Sequence, residues 1–234
     1  MAITYPLAVT TQTFGAVASF VLAVPSGVQN GDLLIVHHTR ANTGANAGAA
    51  SHASWTNLNV GGASVIDDGT DDQACILWRI ANNEPADYTF SQNAGTGSGG
   101  TAAMLAYRGV DGTTPIPQHA GQADTSADTT FVTPEITTTD VDAWVLAFFS
   151  TDETATQTWS GGGTNERYDF EQAATSQIAS GYDSVQASPA TVSKTGTLSA
   201  SDTGVAIILA LKPAGGSPPP TVARLPTLAL MGVG

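Results

Sequence analysis

Short apolar stretches come round twice in this chain, in the same order and at nearly the same spacing. Asp32-Leu33-Leu34-Ile35-Val36 is followed 110 residues later by Asp142-Ala143-Trp144-Val145-Leu146. Trp55, Trp78 and Pro85 recur as Trp159, Tyr182 and Pro189, each 104 residues on. Thr101–Tyr107 recurs as Thr203–Leu209, 102 residues on. So small a drift across so many landmarks implies one unit used twice, over about 16–110 and 129–212. The boundary lies within Asp111–Asp128, which opens Asp-Gly-Thr-Thr-Pro-Ile-Pro; two prolines remove ladder donors and exclude a central strand.

The repeated unit reads as β. Alternation or short apolar runs mark Ser19–Val24, Asp32–Thr39, Ala74–Ile80, Tyr88–Phe90, Thr101–Tyr107, Thr129–Val132, Ala143–Ser150, Ser176–Tyr182, Ala190–Ser193 and Gly204–Leu211. Most end near Gly, Pro, Asn or Asp. Leu33–Val36 and Val205–Leu211 are nearly continuously apolar, as strands buried on both faces are. The best local helical candidate is one turn at Glu171–Thr175. A sheet of about five strands must cover its apolar face with another layer. The expected fold is therefore all-β: a jelly-roll-like β-sandwich over 1–212, built from two similar β-units that face or interleave. Two small barrels joined by Asp111–Asp128 is the alternative. Residues 213–234 form an extended Pro/Gly linker and an apolar C-terminal tail. That tail either packs back on its own domain or docks on a partner, with Arg224, Leu225, Leu228, Leu230 and Met231 as the docking candidates.

Charge is sparse and one-sided: seven Lys and Arg against 20 Asp and Glu, a net −13. Phosphate neutralisation needs clustered cations. The basic residues are scattered, which argues against direct nucleic-acid or anionic-membrane binding. No apolar run approaches the roughly 18–20 residues that span a bilayer, and Met1–Pro6 has no basic n-region, so no signal peptide is expected. The single cysteine, Cys75, permits no internal disulfide and reads as a small buried hydrophobe.

Candidate chemistry is thin. Asp67-Asp68-Gly69-Thr70-Asp71-Asp72 is the densest carboxylate cluster. Hard cations such as Ca²⁺ take several oxygens from one loop, so Asp67, Asp68, Asp71 and Asp72 are the metal candidates. The loop lacks EF-hand spacing, and a solvated Asp-Gly turn is the simpler reading. His37 and His38 are adjacent on a strand and point to opposite faces, as core or interface histidines. Asp152, Glu153, Glu166, Asp169 and Glu171 could serve a glycosidase, yet no spacing selects a pair. Gly95-Thr-Gly-Ser-Gly-Gly100 lacks the Lys of a phosphate loop. Trp78 and Trp144 read as core, and Trp55 and Trp159 as structural plugs rather than a sugar platform. No catalytic residue and no cofactor are expected.

Val24-Pro25-Ser26-Gly27-Val28-Gln29-Asn30-Gly31-Asp32-Leu33-Leu34, Ile76–Ala81, Tyr88-Thr89-Phe90 and Ala106-Tyr107-Arg108-Gly109-Val110-Asp111 together resemble a family of β-sandwich virion proteins from tailed bacteriophages and prophages. The resemblance covers the first half in order and the second in degenerate form through Leu211. It implies a capsid decoration, fibre or tail-associated protein and no active site. The function expected is a capsid decoration (cement) protein that stabilises the shell, assembled in the host cytoplasm. It would be a homotrimer partnered by the major capsid protein or another virion protein. A carbohydrate-binding or adhesive module of a fibre, spike or tail is the alternative, and a depolymerase ranks third.

Overall fold

The computed structural model describes residues 2–5, 7–41, 48–92, 99–152, 157–159, 165–172 and 177–215, with backbone only for 157–159, 171–172 and 177–179. The chain is all-β, and no helix occurs among the described residues. The first half supplies β1 (Thr10–Phe14), β2 (Ser19–Ala23), β3 (Leu33–Ala41), β4 (Thr56–Asn57), β5 (Ile66–Asp67), β6 (Asp72–Ile80), β7 (Asp87–Ser91) and β8 (Gly99–Tyr107). The second supplies β9 (Gln118–Val132), β10 (Ile136–Thr137), β11 (Ala143–Thr151), β12 (Gln157–Trp159), β13 (Asn165–Gln172), β14 (Gln177–Gln186), β15 (Thr191–Val192) and β16 (Thr195–Leu211). Glu171 and Gln172 close β13, so the helical turn expected there begins as strand; residues 173–176 lie outside the described set.

Two six-stranded sheets dominate. One runs β1-β8-β3-β6-β4, with β5 also on β6; the other runs β12-β16-β11-β14-β13, with β9 also on β16. Two-stranded sheets β2-β7 and β10-β15 accompany them. All pairings are antiparallel, and they nest: β1 with β8, β2 with β7 and β3 with β6, then β9 with β16, β10 with β15 and β11 with β14.

Apolar faces stack these sheets into layers. The two large sheets meet across a seam filled by Leu33, Ile35, Ile76 and Leu105 from one side and Leu146, Phe148, Ile207 and Leu209 from the other. The opposite face of the first sheet (Leu34, Val36, Cys75, Leu77, Met104) is covered by Phe20, Leu22, Tyr88 and Phe90 of β2-β7. Ile136 and Val192 of β10-β15 cover Val145, Ile208 and Ala210 on the far face of the second. Strands β3 and β8 are therefore buried at every position, which is why Leu33–Val36 and Ala102–Ala106 show no polar alternation. Strands β2 and β7 alternate buried and exposed because only one face packs.

Matching places in the two sheets are marked by backbone features. A Cβ on Gly100 would overlap the Thr39 carbonyl and come within 2.9 Å of the Phe14 ring; one on Gly204 would overlap the Ser150 carbonyl and come within 2.9 Å of Phe131. Positive φ precedes β3 at Gly31 (93°) and β11 at Asp142 (57°). These marks align β3 with β11 at an offset of 111, not 110, and β8 with β16 at 104, not 102. At an offset of 110 Leu34 would match Trp144, yet Leu34 faces the β2-β7 layer and Trp144 the seam. Trp78 and Tyr182 likewise lie on opposite faces of their sheets. A one-residue slip exchanges the two faces of a strand. Trp55 precedes β4, which pairs with β6, whereas Trp159 ends β12, which pairs with β16, so the two backbones pair with strands that do not correspond.

Candidate functional site

The carboxylate loop between β5 and β6 sits at one end of the seam, and most of its oxygens are already engaged. Asp68, 3% exposed, accepts the backbone N–H groups of Thr70, Asp71 and Asp72 on Oδ1 and the Thr203 hydroxyl on Oδ2. Burial alone would push its carboxyl up, but these hydrogen bonds outweigh burial and hold it below the usual carboxylate range. Asp67 Oδ1 accepts Gly69 N–H at 2.8 Å. Asp72 is fully buried and accepts the Ser150 hydroxyl at 2.5 Å across the seam. The four aspartates thus form no common site. Asp71 instead meets Asp152, just past β11, and Asp202 of β16, with ligand oxygens within 4.8 Å of one another. All three are half-buried, and Asp202 also accepts the Thr151 hydroxyl. Three hard oxygens at this spacing could hold a divalent cation. Burial, and then the neighbouring Asp68 charge, raise Asp71. Asp152 was visible in the sequence as a spare carboxylate; Asp202 carried no signal, because only the β16 register brings it here.

A second constellation lies in the core of the first sheet. Cys75 Sγ is 3.6 Å from His38 Nδ1, and His38 Nε2 is 2.8 Å from Gln92 Oε1. Gln92 Nε2 in turn donates to the Val17 carbonyl. Thiol, imidazole and amide are thus lined up as in a cysteine nucleophile with its base and orienting amide. The environment opposes that chemistry. Cys75 and His38 are each 2% exposed. Burial pushes the thiol up to about 12 and the imidazole down to about 4, the reverse of a thiolate–imidazolium pair. With the Gln92 carbonyl accepting at Nε2, the ring carries its proton there, and the neutral thiol donates to Nδ1. Phe14 and Phe20 stack on the imidazole, with centroids 5.5 and 5.2 Å away.

His37 points the other way, into the seam. Its Nδ1 is 2.6 Å from the Tyr168 hydroxyl, its ring packs on Phe148, and Nε2 is buried without a hydrogen-bond partner. Burial, then the neighbouring His38, lower it to about 3. The adjacent histidines are core residues on opposite faces, and neither faces solvent.

Ion pairs fasten the rest. Asp32, buried before β3, accepts Arg108 Nε at 2.8 Å and Nη2 at 2.7 Å, which ties the start of β3 to the segment that follows β8. Gly109 follows with φ 81°, where a Cβ would press on the Ala2 backbone. At the other end of the seam from the carboxylates, Arg167 grips Asp183 (2.5 and 2.8 Å) and lies over Tyr5 at 4.0 Å. Tyr107 also donates to Asp183. Trp55 and Tyr88 are each 7% exposed, with Arg79 over both rings; no sugar could stack on either. A shallow apolar dimple, too small to hold a water molecule, is lined by Phe131, Phe149, Tyr182, Gly196, Thr197 and Leu198. The side chain of Trp159, and the tail candidates Arg224, Leu225, Leu228, Leu230 and Met231, lie outside the described residues.

No family model, no curated protein and no solved structure matches this chain.

Proposed function

We propose that this chain is a structural virion protein, a capsid decoration protein built from two jelly-roll units packed through their wide sheets. The nested pairing carries the reading. Strands joined 1·8, 2·7 and 3·6 are what a long hairpin gives when it rolls into a jelly roll, and the second half repeats the nesting as 9·16, 10·15 and 11·14. Jelly rolls recur in viral capsid and lectin domains, and fold alone does not choose between them. Buried Trp55 and Tyr88 weigh against a lectin groove, and the Asp32–Arg108 clamp makes the resembling segments scaffold. Cys75, His38, His37 and Asp72 all serve packing. The unmatched tail after Lys212 is the docking element for the major capsid protein, and the assembled form is a trimer.

Mass spectrometry of purified particles from the source culture tests the assignment. The chain is expected as a stoichiometric component, and adding it to particles that lack it should raise their rupture temperature. Its absence from particles, or failure of the full chain to bind them, overturns the reading.

A further inference from the structure

We propose that the adjacent histidines of β3 form an acid-release catch, which opens the two apolar layers on either side of that strand when both rings take up protons. One strand places one imidazole in each of two separate apolar layers. His37 lies in the seam against Phe148, and His38 lies in the β2-β7 layer beside the stacked pair Phe14 and Phe20. Neither ring can be charged where it stands. His37 Nε2 has no acceptor, and the groups that face the ring are the Tyr168 hydroxyl from β13 and Phe148 from β11. Asp72, the carboxylate on the same face of β6, sits opposite Ala41, four residues along, where it takes the Ser150 hydroxyl. His38 faces the neutral Cys75 thiol from β6 and the Gln92 amide, and the Arg40 charge on its own strand opposes a second cation. A proton on His38 would also turn Nδ1 from an acceptor of the thiol into a donor facing sulfur.

The second sheet shows that the slot does not require imidazole. At the offset of 111 that aligns the two sheets, Phe148 and Phe149 stand where His37 and His38 stand, both buried on opposite faces of β11. His37 and Phe148 even pack on each other, with centroids 5.1 Å apart. Histidine therefore adds something an apolar ring lacks: a proton site available only when the layers part.

The direction follows from linkage. Both rings are depressed in the fold, to about 3 and about 4, from an unfolded value near 6.5. Their stabilising contribution is complete above about pH 6.5. It is lost as pH falls, because only the opened chain binds the protons. Two protons taken up together raise the opening constant about 100-fold per pH unit between roughly pH 6 and 4.5.

The test uses the full chain. Urea unfolding is followed from pH 7.5 to 4.5 for wild type, His37→Phe, His38→Phe and the double variant. The carboxylates titrate in all four, so the difference in slope belongs to the histidines. Each single variant should lower the slope by about tenfold per pH unit, and the double variant by about 100-fold. Where a variant does not fold, imidazole NMR on wild type decides: two of the four histidines should stay neutral in the folded protein at pH 5. Slopes unchanged by the substitutions, or four histidines that all titrate near their ordinary value in the folded chain, overturn the proposal.

Discussion

Strands β3 and β11 occupy the same place in their sheets, have the same length, and differ where it matters most. Both are nine residues long and central, and both put side chains into two layers at once. At the paired middle positions β11 has Phe148 and Phe149, which need only space. β3 has His37 and His38, which need Tyr168, Gln92 and Cys75 around them. One slot thus accepts either an apolar ring or a polar one with a fitted set of partners. The polar version brings pH dependence and the apolar version does not. The two ends of the seam differ in the same way. Asp183 is gripped by Arg167, whereas at the opposite end Asp71, Asp152 and Asp202 bring three carboxylates together.

The largest effects should come from breaking what each region depends on. Phe148→Ala removes a fully buried ring from the seam and should cost about 3–5 kcal/mol in urea unfolding. Asp183→Ala strands Arg167 and the Tyr107 hydroxyl and should cost a similar ~3–5 kcal/mol, with the loss persisting at 1 M salt because the Asp183 carboxylate is fully buried. If either change costs under about 1 kcal/mol, the seam is not the core of the fold.

The glycine pair sharpens the equivalence of the sheets. Gly100→Ala and Gly204→Ala each drive a Cβ onto a neighbouring carbonyl and a phenylalanine edge, so each should cost about 1–3 kcal/mol by overpacking. Nearly equal losses in thermal melts are expected. A large loss at one site and none at the other would break the alignment of the two sheets.

The smallest effect has the opposite sign. Asp71 is raised by burial and by Asp68, so its charge opposes folding at neutral pH. A group raised in the fold favours the native state at low pH, and that contribution is lost as pH rises through its folded value. Asp71→Asn should therefore stabilise by about 0.5 kcal/mol at pH 7, and the gain should vanish near pH 3. Asp68→Asn should destabilise at pH 7, because Asp68 is held low by its hydrogen bonds. Its contribution is present above the ordinary carboxylate value and lost on acidification. Paired melts at pH 7 and pH 3 check both signs.

Much of this was legible in the sequence. Apolar runs located β3, β6, β8, β11 and β16; the prolines of Asp111–Pro117 lie between β8 and β9, but Gln118–Asp128, expected as connection, is already strand β9 paired with β16. Register was not legible. Landmarks such as Trp78 and Tyr182 match in size and spacing yet lie on opposite faces, because a period of two turns a one-residue error into a reversal of face. The carboxylate loop was found, but its composition hid the division of labour. Asp68 caps its own turn and Asp72 crosses the seam, while only Asp71 meets Asp152 and Asp202. The Cys75–His38–Gln92 line could not be read from the chain at all. His38 and Cys75 are 37 residues apart and His38 and Gln92 are 54 apart, and contact depends on two strand pairings agreeing.

That line also offers the most direct test of the claim that the chemistry-bearing side chains of this protein are structural. Cys75 is its only cysteine, so thiol labelling at pH 8 reports one group. In the folded chain labelling should be slower than in 8 M urea by about 10⁴-fold or more, and should accelerate only through the global unfolding transition. Labelling of the native protein within minutes, with a rate that levels off at an apparent pKa well below 8.5, would mean an activated thiolate and would contradict the account.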